Sequence, residues 1–283
     1  MKTLLVLVSG CLLLVACQKD APDTPAPLQA ESQQNVAYGT DSLQKMDIYL
    51  PAGRSSATTK VFIMIHGGAW AAGDKAEFNA YRDSLKKRFP AYAIFNINYR
   101  LATGTANFFP AQENDVKAAL EFIYNKRNEY KISDKFVLFG ASAGGHLALL
   151  QACKYSTPVK IKAVVDFFGP TELVNMYNNP PNPLIPLLLM QVVGGNPATH
   201  STLYQQSSPL NFVSSQSPPT IIFHGGVDIV VANSQSVLLK DRLLAEGVTH
   251  QYVFYPAEGH GWSGAALGDS FEKIQAFINV NVN

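Results

Sequence analysis

The feature that most restricts the fold is an alternation of short apolar, β-branched runs with segments of helical periodicity, repeated along most of the chain. KVFIMIHGG from Lys60 and YAIFNINYR from Tyr92 are nearly continuous apolar runs, the pattern of strands covered on both faces. KFVLFG from Lys135, IKAVVDFFG at 161–169, PTIIFHGG at 219–226 and HQYVFYPA at 250–257 read the same way. Between them, Phe78, Tyr81, Leu85 and Phe89 lie at helical spacing within 75–89. Val116, Ala119, Leu120, Ile123 and Tyr124 share a face of a helix predicted from Ala111 to Tyr130. Further helices are predicted over Ala143 to Lys154, 233–246 and 269–279. Strands and helices in this order build an α/β domain, a mostly parallel central sheet with helices on both faces. An antiparallel pair, Asn35 to Gly39 with Gln44 to Leu50, opens it. Residues 171–212 break the rhythm: rich in Pro and Asn, they carry an apolar run from Leu184 to Val193 and are too long for an ordinary loop. They are predicted to be an inserted segment over the C-terminal edge of the sheet, forming one wall of a site.

The N-terminus stands apart. MKTLLVLVSGCLLLVAC has a lysine near its start, an apolar core and small residues before Cys17, a secretory pattern. The apolar stretch is interrupted by Ser9 and Gly10, and is short for a membrane span of about 20 residues. Leu14-Val15-Ala16-Cys17 resembles the lipobox of bacterial lipoproteins. That resemblance implies a signal peptide over 1–16 and a lipid on Cys17, with an ordinary signal peptide or short anchor as the alternative. A second such box ending at Cys11 leaves too little apolar chain before it. Gln18 fits outer-membrane sorting by the same resemblance, on the periplasmic face or the cell surface. Residues 17–35, polar and rich in Pro and Ala, read as a flexible tether. Residues 36–283 then suit one domain with a large core. With 22 Lys and Arg against 21 Asp and Glu the formal charge is +1, or zero without Lys2. No basic patch points to a nucleic-acid partner. After processing, Cys153 is the one unmodified cysteine, a structural thiol among Leu149, Leu150 and Ala152, so no intrachain disulfide is expected.

Chemistry concentrates at VLFGASAGGHLALL, residues 137–150, where a strand runs into a helix through Gly140-Ala141-Ser142-Ala143-Gly144. Gly and Ser are common, so the motif carries little alone; in this context it reads as a nucleophile presented on a tight strand-to-helix turn. A serine hydroxyl needs a base. Of six histidines, His146 lies one turn along the same helix and cannot arch back; His200 and His250 lack a motif; His66 and His224 precede glycine pairs at strand ends. His260, in the Gly-flanked loop PAEGHGW after the last strand, is the candidate. The acid to orient it is Asp228 in HGGVD, with Asp166 in VVDFFGP as the rival. Asp115 and Asp134 read as solvated helix and loop charges. His66-Gly67-Gly68-Ala69-Trp70 offers backbone amides for a tetrahedral oxyanion, and the amide of Ala143 adds one from beside the nucleophile. No His/Cys/Asp cluster has metal-ligand spacing, and no organic cofactor is implied.

These motifs resemble the α/β-hydrolase superfamily, specifically HGGxW-type esterases related to hormone-sensitive lipase, kynurenine formamidase and acetyl- and feruloyl-esterases. Met46-Asp47-Ile48-Tyr49-Leu50-Pro51, HGGAW, Asn98-Tyr99-Arg100-Leu101, GASAGGHLA, Ser208-Pro209-Leu210, FHGGVD and EGHGW follow in the family's order. Ala69 departs from it, standing where lipase-like members carry a third glycine. The resemblance implies catalytic Ser142, Asp228 and His260, with oxyanion donors at Gly68 and Ala69 and Gly67 close by. It also implies hydrolysis of small carboxylic esters, acetyl or feruloyl, through an acyl-enzyme. An amide hydrolase of the arylformamidase or peptidase type is the alternative, and a non-catalytic glycan-binding module the more distant one.

Overall fold

The computed structural model describes residues 26–283. The signal peptide predicted over 1–16, the lipidation predicted at Cys17 and the part of the predicted tether up to residue 25 lie outside the described residues.

Among the described residues eight strands form one sheet: β1 (Glu31–Ala37), β2 (Lys45–Leu50), β3 (Val61–Ile65), β4 (Ala93–Ile97), β5 (Phe136–Ala141), β6 (Ala163–Phe167), β7 (Thr220–Gly225) and β8 (His250–Tyr255). Their spatial order is β1-β2-β4-β3-β5-β6-β7-β8. β2 pairs antiparallel with β1 and β4, and all other pairs are parallel. The helices are α1 (Asn79–Arg88), α2 (Ala111–Asn125), α3 (Arg127–Tyr130), α4 (Ala143–Lys154), α5 (Leu173–Asn178), α6 (Ile185–Val193), α7 (Ser201–Gln206), α8 (Ser234–Ala245) and α9 (Gly264–Asn281).

The continuous apolar strands are buried on both faces because successive side chains point into two separate cores. From β3, Val61, Ile63 and Ile65 join Val116 and Leu120 of α2, Leu147 of α4 and Leu239 of α8. Phe62 and Met64 point the other way, to Leu85 of α1 and to Phe271 and Ile274 of α9. Each large apolar side chain so buried contributes roughly 1.5–3 kcal/mol. This is the sheet, covered on both sides, that the sequence predicts.

Four readings are corrected. The first strand begins at Glu31, so 31–35 belong to the sheet and not to the tether: Gln33 pairs with Ile48, and Arg54 binds Glu31 at 2.9 Å. The helix predicted over 111–130 is broken at Lys126 (φ −90°, ψ 4°), and its short continuation ends at Lys131 in the left-handed region. Asp115 is not solvated. It is fully buried, accepting from the Arg100 amide and guanidinium and from Gln44. The pattern of α2 hides this, because a charge on its apolar side is tolerated only with a partner from a distant loop. Finally, residues 171–212 form α5, α6, α7 and a 3-10 turn, Pro209–Phe212. Leu189, Val192, Val193 and Tyr204 sink into the core shared with α4. This segment packs on α4 and α8 through its 3-10 turn, and none of its residues lines the cavity over Ser142.

Candidate active site

Ser142 stands between β5 and α4 with φ 55° and ψ −124°. A non-glycine residue in such a conformation costs on the order of 1–3 kcal/mol, so its surroundings must fix it. They do: its N–H donates to Phe167 O at 2.8 Å, and its carbonyl accepts from His146 N at 3.0 Å. The flanking glycines let the backbones close in. A Cβ on Gly140 would lie 2.2 Å from Gly144 O, and one on Gly144 would lie 2.0 Å from Ile65 O of β3. G-A-S-A-G is thus a packing requirement as well as a turn, because α4 starts hard against its neighbouring strand.

His260 arrives from the loop after β8. Its Nε2 lies 2.9 Å from Ser142 Oγ and its Nδ1 2.7 Å from Asp228 Oδ2. A carboxylate can only accept, so Nδ1 carries the proton and Nε2 is left to accept from the serine hydroxyl. The second glycine motif explains how the loop reaches so far. A Cβ on Gly225 would sit 2.3 Å from the carbonyls of Glu258 and Gly259, and one on Gly226 would sit 2.4 Å from Pro256 O. Bare backbone at the end of β7 lets the histidine loop cross directly over it.

Asp228 has a fully buried side chain, and its other oxygen accepts from Val230 N at 2.8 Å and Val231 N at 2.9 Å. Burial pushes its carboxyl upward, but the His260 bond and charge and the two amides outweigh that and hold it below the usual range. Asp166, the rival acid, is also fully buried, at the end of β6. It makes no bond to His260: Oδ1 accepts from Gly169 N at 3.1 Å and Oδ2 has no partner. Burial pushes Asp166 up to about 7 despite that bond.

Gly67, Gly68 and Ala69 line the same cavity as Ser142 and His260, and Ala143 is buried directly after Ser142 as the first residue of α4. Gly68 adopts φ 101°, and a Cβ there would strike Ala72 O at 2.1 Å. Ala69 takes φ 53°, so the alanine found where a third glycine was expected still adopts the left-handed turn. Ala71 N and Ala72 N donate to Gly68 O and close that turn. The cavity, about 480 Å³, is otherwise apolar, lined by Ala72, Phe78, Phe168 and Val230 with one acid, Glu77. Among the described residues no group of three or more His, Cys, Asp or Glu side chains could hold a metal ion.

Sequence reasoning missed three contributors. Phe168, at φ 44°, places its ring 4.5 Å from that of His260. His224 is fully buried, with Nε2–H donating to Val231 O at 2.9 Å while Nδ1 accepts from Ser236 Oγ at 2.7 Å. It thereby props the loop that carries the Val230 and Val231 amides. His146 bonds to Trp70 at 3.1 Å and to Ser207 O at 2.7 Å. Their only signal is position, one beside Asp166 and the others inside the glycine motifs. Cys153, near the end of α4, is partly buried as a whole residue, and the surrounding protein pushes its thiol up to about 11, away from the reactive thiolate.

The chain is 25% identical over 263 residues to Esterase LipC of Mycobacterium tuberculosis, covering 87% of this chain and 64% of that protein. It is 26% identical over 281 residues to Esterase LipQ of the same organism, covering 92% and 65%. It thus spans slightly less than two thirds of the length of these relatives. A solved structure described as a truncated form of carbohydrate esterase from gut microbiota superimposes with a TM-score of 0.76. It is 26% identical and covers 89% of this chain and 96% of that one. The BD-FAE family model matches residues 46–243. That span runs from β2 through Ser142 and Asp228 to α8, well over half of the sequence, and on this ground the chain belongs to the BD-FAE family and has the α/β-hydrolase fold.

Proposed function

We propose that the protein is a serine carboxylic ester hydrolase. Ser142 attacks the ester carbonyl while His260 Nε2 takes its proton. Asp228 holds the imidazole in the tautomer required and balances the imidazolium as it forms. The amides of Gly68, Ala69 and Ala143, with Gly67 alongside, receive the oxyanion, and the start of α4 adds a favourable field. His260 returns the proton to the leaving alcohol, then activates water to release the acyl group. The observation that carries this reading is the unbroken hydrogen-bonded chain from Asp228 through His260 to Ser142 at 2.7 and 2.9 Å. Small acyl groups, acetyl or feruloyl in type, on saccharide or simple alcohols are the proposed substrates. The apolar cavity and the likeness to a carbohydrate esterase support them. We place the protein outside the cytoplasm as an outer-membrane lipoprotein tethered through Cys17, on the strength of the lipobox-like sequence.

Ser142→Ala is expected to lower turnover of p-nitrophenyl acetate at least roughly 10⁴-fold while the thermal transition is kept. A fluorophosphonate should label the native protein at Ser142 and leave the variant unmodified. Preference for an N-formyl aryl amide over the aryl ester would favour the amide-hydrolase reading, and substantial activity left in Ser142→Ala would remove the nucleophile.

A further inference from the structure

Ala69 and Trp70 are consecutive non-glycine residues in the left-handed region, at φ 53° and 58°. Two such residues store strain on the order of a few kcal/mol, and the turn persists only if something outside it insists. Trp70 is buried, and its indole N–H donates to His146 Nδ1 at 3.1 Å, the rings meeting edge to face at 5.0 Å and 86°. His146 is itself fully buried, one turn along α4 from the serine whose carbonyl accepts its N–H. Its Nε2–H donates to Ser207 O at 2.7 Å, which fixes the tautomer and leaves Nδ1 free to accept. Phe109 closes the ring in from the side, edge-on at 5.5 Å. One imidazole therefore joins three separated pieces of chain: the Gly68–Trp70 turn, the nucleophile's helix and the inserted segment 171–212.

Resting on the ester-hydrolase reading, we infer that His146 is a positioning residue. By holding the Trp70 indole, it fixes the turn that carries the Gly68 and Ala69 amides relative to Ser142. Burial, with a contribution from Lys154 and against the Ser207 bond, pushes the ring down to about 4, so it stays neutral and able to accept at ordinary pH. His146 touches no substrate and moves no proton in the reaction; it decides where the oxyanion donors stand.

Three variants test this. His146→Leu removes both bonds, Trp70→Phe removes only the indole donor, and His146→Gln offers an amide that can accept from Trp70 and donate to Ser207 O. Losing one oxyanion donor outright costs about 100- to 1,000-fold, so a displaced one is expected to cost about 10- to 100-fold. His146→Leu and Trp70→Phe should lower kcat on p-nitrophenyl acetate by that factor with KM changed less than about 3-fold. Labelling of Ser142 by a fluorophosphonate, whose phosphoryl oxygen uses the same amides, should slow in parallel. His146→Gln should recover most of both rates. A merely structural role would move the melting temperature without splitting kcat from KM. Trp70→Phe with native kcat and native labelling rate would overturn the inference. Native protein inert to both ester and probe would instead sink the hydrolase reading, and this one with it.

Discussion

Glu77 is the one acidic side chain among the residues lining the cavity, and no lysine or arginine accompanies it. Lys75, close in sequence, is turned away into a buried pair with Asp47 at 3.1 Å. A charge at a solvent-open mouth acts weakly, on the order of 1 kcal/mol or less at 8–10 Å in a high effective dielectric. That is still enough to rank substrates by charge. At low ionic strength the protein should favour a cationic choline-type ester over an anionic carboxyphenyl ester of the same acyl group. Glu77→Gln should reduce that ratio in kcat/KM by about 2- to 5-fold and Glu77→Lys should invert it, with neutral phenyl acetate little affected. The ratio measured at 20 mM and 500 mM salt checks the cause, since a field effect must shrink with screening. A ratio blind to both substitution and salt would mean the carboxylate faces bulk water and selects nothing. The proposed chemistry itself yields a carboxylate, so the same charge also favours product departure.

At the level of elements, the contact that sets the site is α4 against β3. Gly144→Ala would put a methyl group 2.0 Å from Ile65 O, a backbone atom that cannot step aside. It is expected to cost more than about 3 kcal/mol in urea unfolding and to abolish turnover, because the elbow and the Gly67–Ala69 turn are displaced together. Gly268, inside α9 with open space around it, is the control: Ala there should be neutral or stabilising by up to about 1 kcal/mol. If the two glycines behaved alike, packing of α4 would not be what the motif protects. The same contrast shows what was legible in the sequence. Strands and helices of the parallel half were readable because burial on both faces writes an unbroken apolar run, and α4 begins and ends where predicted. That Ser142, His260 and Asp228 would meet was readable because strained turns and crossings demand glycine, which marks the chain around them. Asp115 was misread because its partner Arg100 comes from another element, and pairing across elements leaves no local pattern. Residues 171–212 were misplaced for a related reason: an apolar run announces that something is buried, not against what. Phe168 and His146 act through contacts made at a distance of many residues, and no spacing rule reveals those.

For the molecule as a whole, the sheet's C-terminal edge gathers the ends of β3, β5, β6, β7 and β8, so stability and chemistry are drawn from the same strand ends. Asp166 shows the cost of that arrangement. It lies at the end of β6 with one oxygen unpartnered, deep beneath the first turn of α4, where a Cβ on Gly145 would touch it at 2.2 Å. Burial raises its carboxyl from 3.8 to about 7 in the folded protein. Between those two values the folded state keeps a proton that the unfolded chain has released, so stability falls as pH rises. Above about 7 the folded state carries the full penalty, roughly 4 kcal/mol at 1.36 kcal/mol per unit. Below about pH 4 both states hold the proton and the effect vanishes. Asp166→Asn removes the charge and keeps the oxygen that accepts from Gly169. Its stability relative to the native protein should therefore rise by about 2–3 kcal/mol between pH 5 and pH 8, read as the gap between urea midpoints multiplied by the m-value. The direction is opposite to that of Asp228, whose depressed carboxyl contributes stability that is lost only as pH falls into the acid range. A gap between Asp166→Asn and the native protein that stays flat from pH 5 to 8 would show the native carboxyl already ionised at pH 5, with water or a shifted backbone group meeting its second oxygen. A gap that opens on raising the pH would identify a carboxylic acid held neutral beneath the helix that follows Ser142.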